Sequence, residues 1–244
     1  MKTAICVSGI CRGNVAQNVQ LLRDAFPDAD LFFGSWKGQE KTLIENEITN
    51  FFVFDEPVMH YHPIKDISDS EIKSPKLKIK KYKKCNEKWY YEKTSHHTKQ
   101  ILIHDMMLQN IDVSYDMIIR SRFDTVVSTS VIFKEYIKKS YDDNMAIGFG
   151  MRPIRFKNFN VVRKIPKIYP DGKNELINQD WGWYLMDPLI FHPRSLWNHK
   201  RVSFLHENKK LKAAEWGWYQ ILSEPYKDTH ICAYGGAQIE KYMS

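Results

Sequence analysis

The sequence has few cysteines and lacks the residue spacings that structural metal sites and disulfide frameworks use. Its 244 residues include four scattered cysteines with no Cys-x-x-Cys pair, namely Cys6, Cys11, Cys85 and Cys232. No His-Glu-x-x-His motif occurs. These absences argue against a zinc protein and against a disulfide-bonded secreted domain. They predict reduced thiols in the cytoplasm.

Long hydrophobic runs are also missing. No segment stays apolar for the roughly 20 residues that a membrane-spanning helix needs, and the N-terminal residues turn polar too early for a signal peptide. We therefore expect a soluble cytoplasmic protein. With 43% hydrophobic residues, the chain is long enough to bury a full core, and we expect one domain over residues 1–244.

Positive charge is in excess. The formal net charge is +7 and the pI is about 9.0, which favours nucleotide sugars, acidic polysaccharide, nucleic acid or an acidic membrane surface as partners. Seven lysines lie between Lys73 and Lys84, within a surface excursion at about 65–93, and Trp89, Tyr90 and Tyr91 follow. This segment is either a solvated charged surface or a docking patch for an anionic acceptor or lipid headgroups. It also gives an alternative function, a non-catalytic binder of anionic polymer, although no nucleic-acid module pattern is present.

A strand, a glycine-bearing turn and a helix open the chain. Thr3 to Ser8 is the predicted strand, and the helix follows Asn14 as its cap. A turn of this kind leaves backbone N–H groups free at a helix N-terminus, where they suit a diphosphate. Ser8, Gly9 and Arg12 are therefore candidate donor-binding residues. The turn lacks the Gly-Lys-Ser/Thr ending of a Walker loop, and the simpler interpretation is a tight turn that needs glycine.

The segment from Tyr115 to Val127 is predicted to be the central strand. Its apolar run ends in Arg120, Arg122 and Asp124, which alternate at period two and so share one side of an extended chain. In open α/β sheets this carboxyl end is where ligands bind. Two guanidiniums can grip phosphate oxygens, and a carboxylate can hold a divalent cation or a sugar hydroxyl. An internal salt bridge between Arg122 and Asp124 is the equally supported alternative.

Strands alternate with helices along the chain, which predicts an α/β fold with a mixed, mostly parallel sheet and helices on both faces. A basic stretch at about 152–173 is predicted to be a long loop that closes over a donor or receives an acidic acceptor.

Two short segments echo each other, and each has a carboxylate directly before Trp-Gly-Trp-Tyr. Asp180 precedes one copy and Glu215 the other. Carboxylates can take a proton from an attacking hydroxyl, and aromatic faces stack on sugar rings, which makes candidates of Trp181, Trp183 and Trp216. The structural alternatives are a turn residue for Asp180, a first-turn helix acid for Glu215 and core positions for the tryptophans.

Three motifs in order carry a family resemblance: Ala4 to Arg12 (Ala-Ile-Cys-Val-Ser-Gly-Ile-Cys-Arg), Asp30 to Trp36 (Asp-Leu-Phe-Phe-Gly-Ser-Trp), and Tyr115 to Asp124 (Tyr-Asp-Met-Ile-Ile-Arg-Ser-Arg-Phe-Asp). Together they resemble a group of bacterial and viral glycosyltransferases that includes proteins of the WavE lipopolysaccharide-synthesis type. The resemblance implies a Rossmann-type GT-A-like fold. It also implies transfer of a monosaccharide from a nucleotide sugar to a glycan hydroxyl, in a bacterial or virus-infected cell.

In that family the Arg-x-Arg-x-Asp strand end stands where other GT-A enzymes keep Asp-x-Asp. The resemblance therefore makes Asp124 the candidate ligand of Mn²⁺ or Mg²⁺, while Arg120 or Arg122 supplies part of the charge. It also implies an acid at each of the two echoing segments, and Asp180 is the favoured acceptor base, with Glu215 second. A carboxylate pair of this kind leaves a glycoside hydrolase as a third possibility.

Overall fold

The computed structural model describes most of the chain, with gaps. The described residues are 1–57, 61–63, 82–85, 88–92, 96–128, 131, 133–150, 162–168, 174–180, 185–208, 214–222, 230–234 and 236–240. Within these ranges, the side chains of residues 61–96, 162–180, 204–208 and 230–234, and those of Trp216 and Gln220, are not described.

The strands fall into one large sheet and two small ones. They are β1 (Thr3–Ser8), β2 (Asp30–Trp36), β3 (Phe51–Phe54), β4 (Tyr61–Pro63), β5 (Tyr82–Cys85), β6 (Lys88–Glu92), β7 (Met117–Ser121), β8 (Thr125–Val127), β9 (Ala146–Gly150), β10 (Val162–Ile168), β11 (Asn174–Asp180), β12 (Leu189–Pro193), β13 (His230–Tyr234) and β14 (Ala237–Ile239). The large sheet has the order β11-β10-β13-β9-β12-β7-β1-β2-β3. Its pairings are mostly parallel, and β12 is antiparallel to both of its neighbours. The predicted fold class is confirmed.

Helices cover both faces of this sheet. They are α1 (Val15–Ala25), α2 (Glu40–Glu45), α3 (His96–Asn110), α4 (Phe133–Asp142), α5 (His199–Asn208) and α6 (Ala214–Leu222). One core cluster joins α1 and α4 to the sheet, and the other joins α3, α5 and α6 to the opposite face. The alternation along β7 follows from the strand period, since Met117 and Ile119 enter the first cluster and Ile118 the second. Among the described residues, no helix is long and apolar enough to cross a membrane.

Helix α1 forms where the sequence predicts it. The Asn14 side chain accepts from the Gln17 backbone N–H at the helix start, which satisfies one of the donors that a helix leaves unpaired there. Val15, Val19 and Leu22 lie on one face and are buried against the sheet. Because α1 connects the parallel pair β1 and β2, it returns the chain to the same edge of the sheet.

Two predicted irregular segments contain regular structure. The basic stretch at 152–173 is not one loop, since β10 lies within it and pairs with β11. Three prolines among basic and aromatic residues led to the loop prediction, and one of them, Pro166, lies in this strand although proline is rare in paired strands. Within the Lys-rich excursion at 65–93, β5 and β6 pair with each other and β6 pairs with β4.

The carboxyl ends of β1, β2, β3 and β7 meet at one edge of the sheet, because these strands are parallel neighbours. Val7 pairs with Ser121, so the next residues along each strand, Ser8 and Arg122, emerge side by side. The fold thus brings together two segments that are more than a hundred residues apart in the sequence.

Candidate functional site

A cavity of about 230 Å³ opens at this edge, between the turn after β1 and the end of β7. Its lining carries three cationic side chains and two carboxylates. The lining residues that the structure describes are Ser8, Gly9, Ile10, Arg12, Trp36, Glu56, Lys99, Gln100, Arg122 and Asp124. Five of the six predicted donor-binding residues therefore lie on one cavity, and the sixth, Arg120, does not line it.

The turn after β1 is held tightly to β2. The Gly9 N–H donates to the Gly34 carbonyl oxygen at 3.1 Å, and the Ser35 hydroxyl donates to the Gly9 carbonyl oxygen at 2.7 Å. Gly9 has a φ of +123°, a conformation that favours glycine. The Cys11 N–H is also occupied, since it donates to Gln39 Oε1 at 3.2 Å.

These bonds limit the prediction that this turn leaves its N–H groups free for a diphosphate, because part of the turn's N–H groups bond within the protein. The N–H groups of Gly9 and Cys11 are used within the protein, and that of Asn14 donates to Glu240 Oε2 at 2.8 Å. The pattern Ser-Gly-Ile-Cys-Arg-Gly shows the turn but cannot show which distant residues satisfy its backbone. Among the described residues, the N–H groups of Ile10, Arg12 and Gly13 make no hydrogen bond, so a ligand at this turn can use them together with side chains.

Ser8 lines this cavity, and its buried hydroxyl has no hydrogen-bond partner among the described residues. Ser8 is only 2% exposed. Buried hydroxyls are nearly always hydrogen-bonded, and an exception calls for a ligand or a water molecule. The hydroxyl is thus a preformed contact for a polar ligand group.

Arg122 and Arg12 both bond to Asp124. Arg122 makes a two-point contact, from Nε to Oδ1 at 2.8 Å and from Nη2 to Oδ2 at 2.9 Å. Arg12 donates from Nε to Oδ2 at 2.7 Å. The salt bridge that the sequence left open is therefore present, and it lies in the cavity wall. Because Arg12 uses Nε for this contact and its side chain is half exposed, its two terminal nitrogens are left for a ligand.

A carboxylate that the sequence analysis missed, Asp187, completes this cluster. It lies just before β12, and its Oδ2 is 3.5 Å from Nη1 of Arg122. Burial alone would lower the pKa of Arg122, but the carboxylates of Asp187 and Asp124 outweigh it and raise that pKa. Burial would raise the pKa of Asp124, but the charges and hydrogen bonds of Arg122 and Arg12 outweigh it and lower that pKa. Arg122 and Asp124 are therefore both charged at neutral pH.

Arg120 belongs to the core instead of the cavity wall. It is fully buried, donates to the Asp187 carbonyl oxygen and to Gln100 Oε1, and its guanidinium lies 4.7 Å from the centre of the Trp218 ring. Burial lowers its pKa to about 10, a shift that the Asp187 carboxylate partly offsets. The alternation of side chains along the strand correctly places Arg120 on the same face of the sheet as Arg122, but helices α3 and α6 cover Arg120.

Lys99 is a second functional candidate that the sequence analysis missed. It lies in the first turns of α3, lines the cavity, and is buried except for 5% of its surface. Its Nζ donates to Glu56 Oε1 at 2.7 Å, and the Glu56 side chain is half exposed. One lysine in a helix that also carries histidines gives no sequence signal of this kind, since only the packing of α3 on the sheet shows which residue faces the cavity.

The described side chains do not fit the predicted Mn²⁺ or Mg²⁺ site at Asp124. Both of its carboxylate oxygens accept hydrogen bonds from guanidinium groups. Within the described ranges, no three His, Cys, Asp or Glu side chains cluster closely enough to hold a metal ion. A divalent cation bound by protein needs several such oxygens, so we derive no chemical step through one.

The two candidate bases lie in different places. Glu215 is half-buried at the start of α6, and its charge makes a small contribution that partly offsets the lowered pKa of Arg120 and helps to raise the pKa of Arg122, so it lies within electrostatic range of both. Asp180 is the last residue of β11 and pairs with Val162, the first residue of β10. Near the other end of β10, Lys167 pairs with Tyr234, the last residue of β13. Strand β11 is also six positions from β1, at about 4.8 Å per position. The structure does not bring the Asp180 backbone to the cavity.

Several predicted residues lie outside the described part of the molecule. Trp181 and Trp183 are not described, and of Trp216 only the backbone, within α6, is described. The same holds for most of the Lys-rich excursion. Sugar stacking by these tryptophans and docking by the lysines remain predictions.

No protein-family model matches the chain. No curated protein matches its sequence. Among solved structures, it resembles 4-diphosphocytidyl-2C-methyl-D-erythritol synthase from Anaerococcus prevotii with a TM-score of 0.51 and 11% identity, over 96% of this chain and 87% of that one. It also resembles a glycosyltransferase involved in glycosylation of the major capsid of PBCV-1, with a TM-score of 0.46 and 10% identity, over 96% of this chain and 82% of that one. The likeness to residues 1–349 of S. aureus TarS has a TM-score of 0.45 and 10% identity, over 98% of this chain and 60% of that one.

The chain thus has an α/β fold that it shares with this synthase. At 11% identity, the likeness to the synthase shows the shared fold alone, and the likenesses with TM-scores below 0.5 carry no argument. Because no family model matches, the resemblance to WavE-type proteins stays a prediction.

Proposed function

We propose that this protein is a glycosyltransferase that moves a monosaccharide from a nucleotide sugar to a hydroxyl of a glycan acceptor. The observation that carries the proposal is the cavity in which an unpartnered buried hydroxyl, Ser8, adjoins Arg12 and Arg122. Phosphate oxygens are the ligand groups that this combination suits, because guanidiniums bind them through paired hydrogen bonds. The cavity also lies where ligands bind in open α/β sheets.

On this proposal the diphosphate lies against Arg12, Arg122 and Lys99, which supply the positive charge that a divalent cation supplies in other sites of this chemistry. Asp124 holds the two guanidiniums in place. Such prepositioned charge stabilises a leaving group without reorganisation during the reaction. A cavity of about 230 Å³ accommodates the diphosphate, and the rest of the donor extends beyond the described lining.

In the transfer step the acceptor oxygen bonds to the anomeric carbon of the sugar. The bond from that carbon to the phosphate oxygen breaks, and the nucleotide leaves with the electron pair. Glu215 is the described carboxylate that we assign as the base for the acceptor proton, because its charge acts on the arginine cluster. Asp180 is the alternative base from the sequence, and Trp181, Trp183 and Trp216 remain the proposed sugar-stacking residues.

Nucleotidyl transfer is the second candidate function, because the synthase that shares this fold is named for a diphosphocytidyl product. Product analysis separates the two. Purified protein is incubated with UDP-, GDP-, CMP- and dTDP-sugars and, separately, with nucleoside triphosphates and sugar phosphates. Glycosyl transfer, or slow donor hydrolysis, releases free nucleoside diphosphate or monophosphate from a nucleotide sugar. Nucleotidyl transfer releases pyrophosphate from a triphosphate.

If neither product forms and the protein binds anionic polymers in a salt-sensitive way, the non-catalytic alternative is favoured. That outcome would move the function to the Lys-rich segment and its aromatic residues, and it would leave nucleic acid and acidic glycan to be compared as ligands. Peripheral contact with an acidic membrane would be detected with vesicles that contain anionic lipid.

A further inference from the structure

Glu240 joins the two turns that carry Arg12 and Asp124. Its Oε2 accepts from the Asn14 backbone N–H at 2.8 Å and from Asn18 Nδ2 at 3.2 Å. Its own N–H donates to the Asp124 carbonyl oxygen at 2.9 Å. One residue after β14 therefore contacts both the start of α1 and the turn after β7.

The contact is closely packed. Gly13 has a φ of +81°, and a Cβ placed there would lie 2.2 Å from Glu240 Oε2 and 3.5 Å from Asp124 Cβ. Asn18 is 2% exposed and donates from the same Nδ2 to the Phe123 carbonyl oxygen at 2.9 Å. The carboxylate also lies at the N-terminus of α1, where the helix dipole favours a negative charge.

We propose that Glu240 is a positioning residue for the phosphate site, and this inference rests on the proposed function. Glu240 does not line the cavity. It fixes the turn of Arg12 against the turn of Asp124, so that the Arg12 Nε and the Asp124 Oδ2 meet at 2.7 Å. The terminal nitrogens of Arg12 are thereby aimed before a ligand arrives.

The test measures binding of inorganic pyrophosphate, the probe for the diphosphate, by calorimetry at low salt. Glu240→Ala is expected to weaken binding by about tenfold or more, since displacement of a binding group by about 1 Å has effects of that size. Glu240→Gln keeps an oxygen that can accept from the Asn14 N–H, so it is expected to bind more tightly than Glu240→Ala. Glu45→Ala, which changes an exposed side chain on helix α2, is the matched control and is expected to bind like the parent.

A double-mutant cycle separates positioning from general stability. If Glu240 acts through Arg12, Glu240→Ala adds little to the loss in an Arg12→Ala background. A purely structural role would lower the unfolding midpoint and leave the pyrophosphate Kd of the folded protein unchanged. If Glu240→Ala does not fold, Glu240→Asp replaces it. Its shorter side chain withdraws the carboxylate from the Asn14 N–H, so weaker binding than Glu240→Gln is expected.

Equal binding by the parent, by Glu240→Ala or Glu240→Asp, and by Glu240→Gln would overturn the inference and leave the proposed function intact. The inference would also be overturned if Glu240→Ala caused the same loss of pyrophosphate affinity in the parent protein and in the Arg12→Ala background. A parent protein that binds no pyrophosphate would overturn the proposed function, and the inference with it.

Discussion

Arg122 and Asp124 form a two-point ion pair within one turn, with Nε to Oδ1 at 2.8 Å and Nη2 to Oδ2 at 2.9 Å. The same carboxylate accepts from Arg12. In isolation, such a pair is what a closed structural salt bridge would show. Because it lies in the wall of a cavity with an unpartnered serine hydroxyl, we interpret it as a carboxylate that orients two guanidiniums for a phosphate ligand.

Arg120→Met is expected to reduce stability more than ligand binding. The substitution removes the donors to the Asp187 carbonyl oxygen and to Gln100, and it removes the guanidinium from the Trp218 ring. Loss of buried hydrogen bonds of this kind costs about 1–3 kcal/mol in the free energy of unfolding. Urea denaturation measures this change, and a stable Arg120→Met protein with abolished nucleotide binding would contradict the core role.

Lys99→Met is expected to weaken donor binding while keeping the packed stem of the side chain. Lys99 is buried at the cavity wall, and its partner Glu56 is half exposed, so a phosphate can replace that partner. One charge-assisted hydrogen bond corresponds to about tenfold or more in Kd. The control is Lys41→Met, whose parent side chain is 87% exposed and pairs with Glu45 on α2. Equal Kd values for the two variants would remove Lys99 from the site.

Glu215→Gln is expected to lower kcat by about 10²–10⁴-fold, the usual contribution of a general base, with little change in donor Kd. Asp180→Asn should have the smaller effect, because the pairing of β10 with β11 places its backbone away from the cavity. Steady-state kinetics with an acceptor measure both. A larger loss of kcat in Asp180→Asn than in Glu215→Gln would identify Asp180 as the base and would show that the segment from 181 to 184 reaches the site.

The free energy of unfolding is expected to fall as the pH falls from about 6.5 towards 4. His192 Nδ1 donates to the Pro193 carbonyl oxygen, so its Nε2 accepts from His104 Nε2 at 3.3 Å. Burial lowers the pKa of His192 to about 4. Burial, and then the charges of His192, Arg120 and Arg194, hold the pKa of His104 well below 6.5.

In the unfolded chain these imidazoles take up protons near pH 6.5, so the unfolded state binds more protons than the native state within this window. Stability is therefore lost as the pH falls, by about 2 kcal/mol from His192 alone between pH 7 and 5. Denaturant titrations at the two pH values measure the change. His192→Asn should reduce it, and an unchanged pH dependence in that variant would contradict the assignment.

The sequence predicted the elements of the site better than their exact surroundings. The apolar runs of β1 and β7 located both strands, and the rule that ligands bind at carboxyl ends located the edge at which Ser8 and Arg122 meet. It could not predict that Asp187 joins them, because this depends on β12 running antiparallel beside β7. An acid before a short apolar run gives no sign of which strand it will face.

Period-two alternation likewise could not separate Arg120 from Arg122. Both project to the same face of the sheet, but Trp218 and Gln100 cover the former and leave the latter at the cavity. Which positions the helices cover is decided by tertiary packing, as it is for Lys99. The role of Glu240 was equally hidden, since it depends on pairing between β14 and β8, two strands of three residues each.

The most direct test of the phosphate site is the unfolding midpoint of the parent, Arg12→Ala and Arg23→Ala proteins with UDP-, GDP-, CMP- and dTDP-sugars, in EDTA and in Mn²⁺. Arg23 is the matched control, because it is an exposed arginine in the last turn of α1 and does not line the cavity. At 100 times its Kd, a ligand adds about 2.7 kcal/mol to stability, which corresponds to an increase in Tm of roughly 5–10 °C for a chain of this size. We predict such an increase for one nucleotide sugar, in EDTA as well as in Mn²⁺, in the parent and in Arg23→Ala, with a much smaller increase in Arg12→Ala. No increase with any donor, or an increase of the same size in Arg12→Ala, would contradict the proposed function.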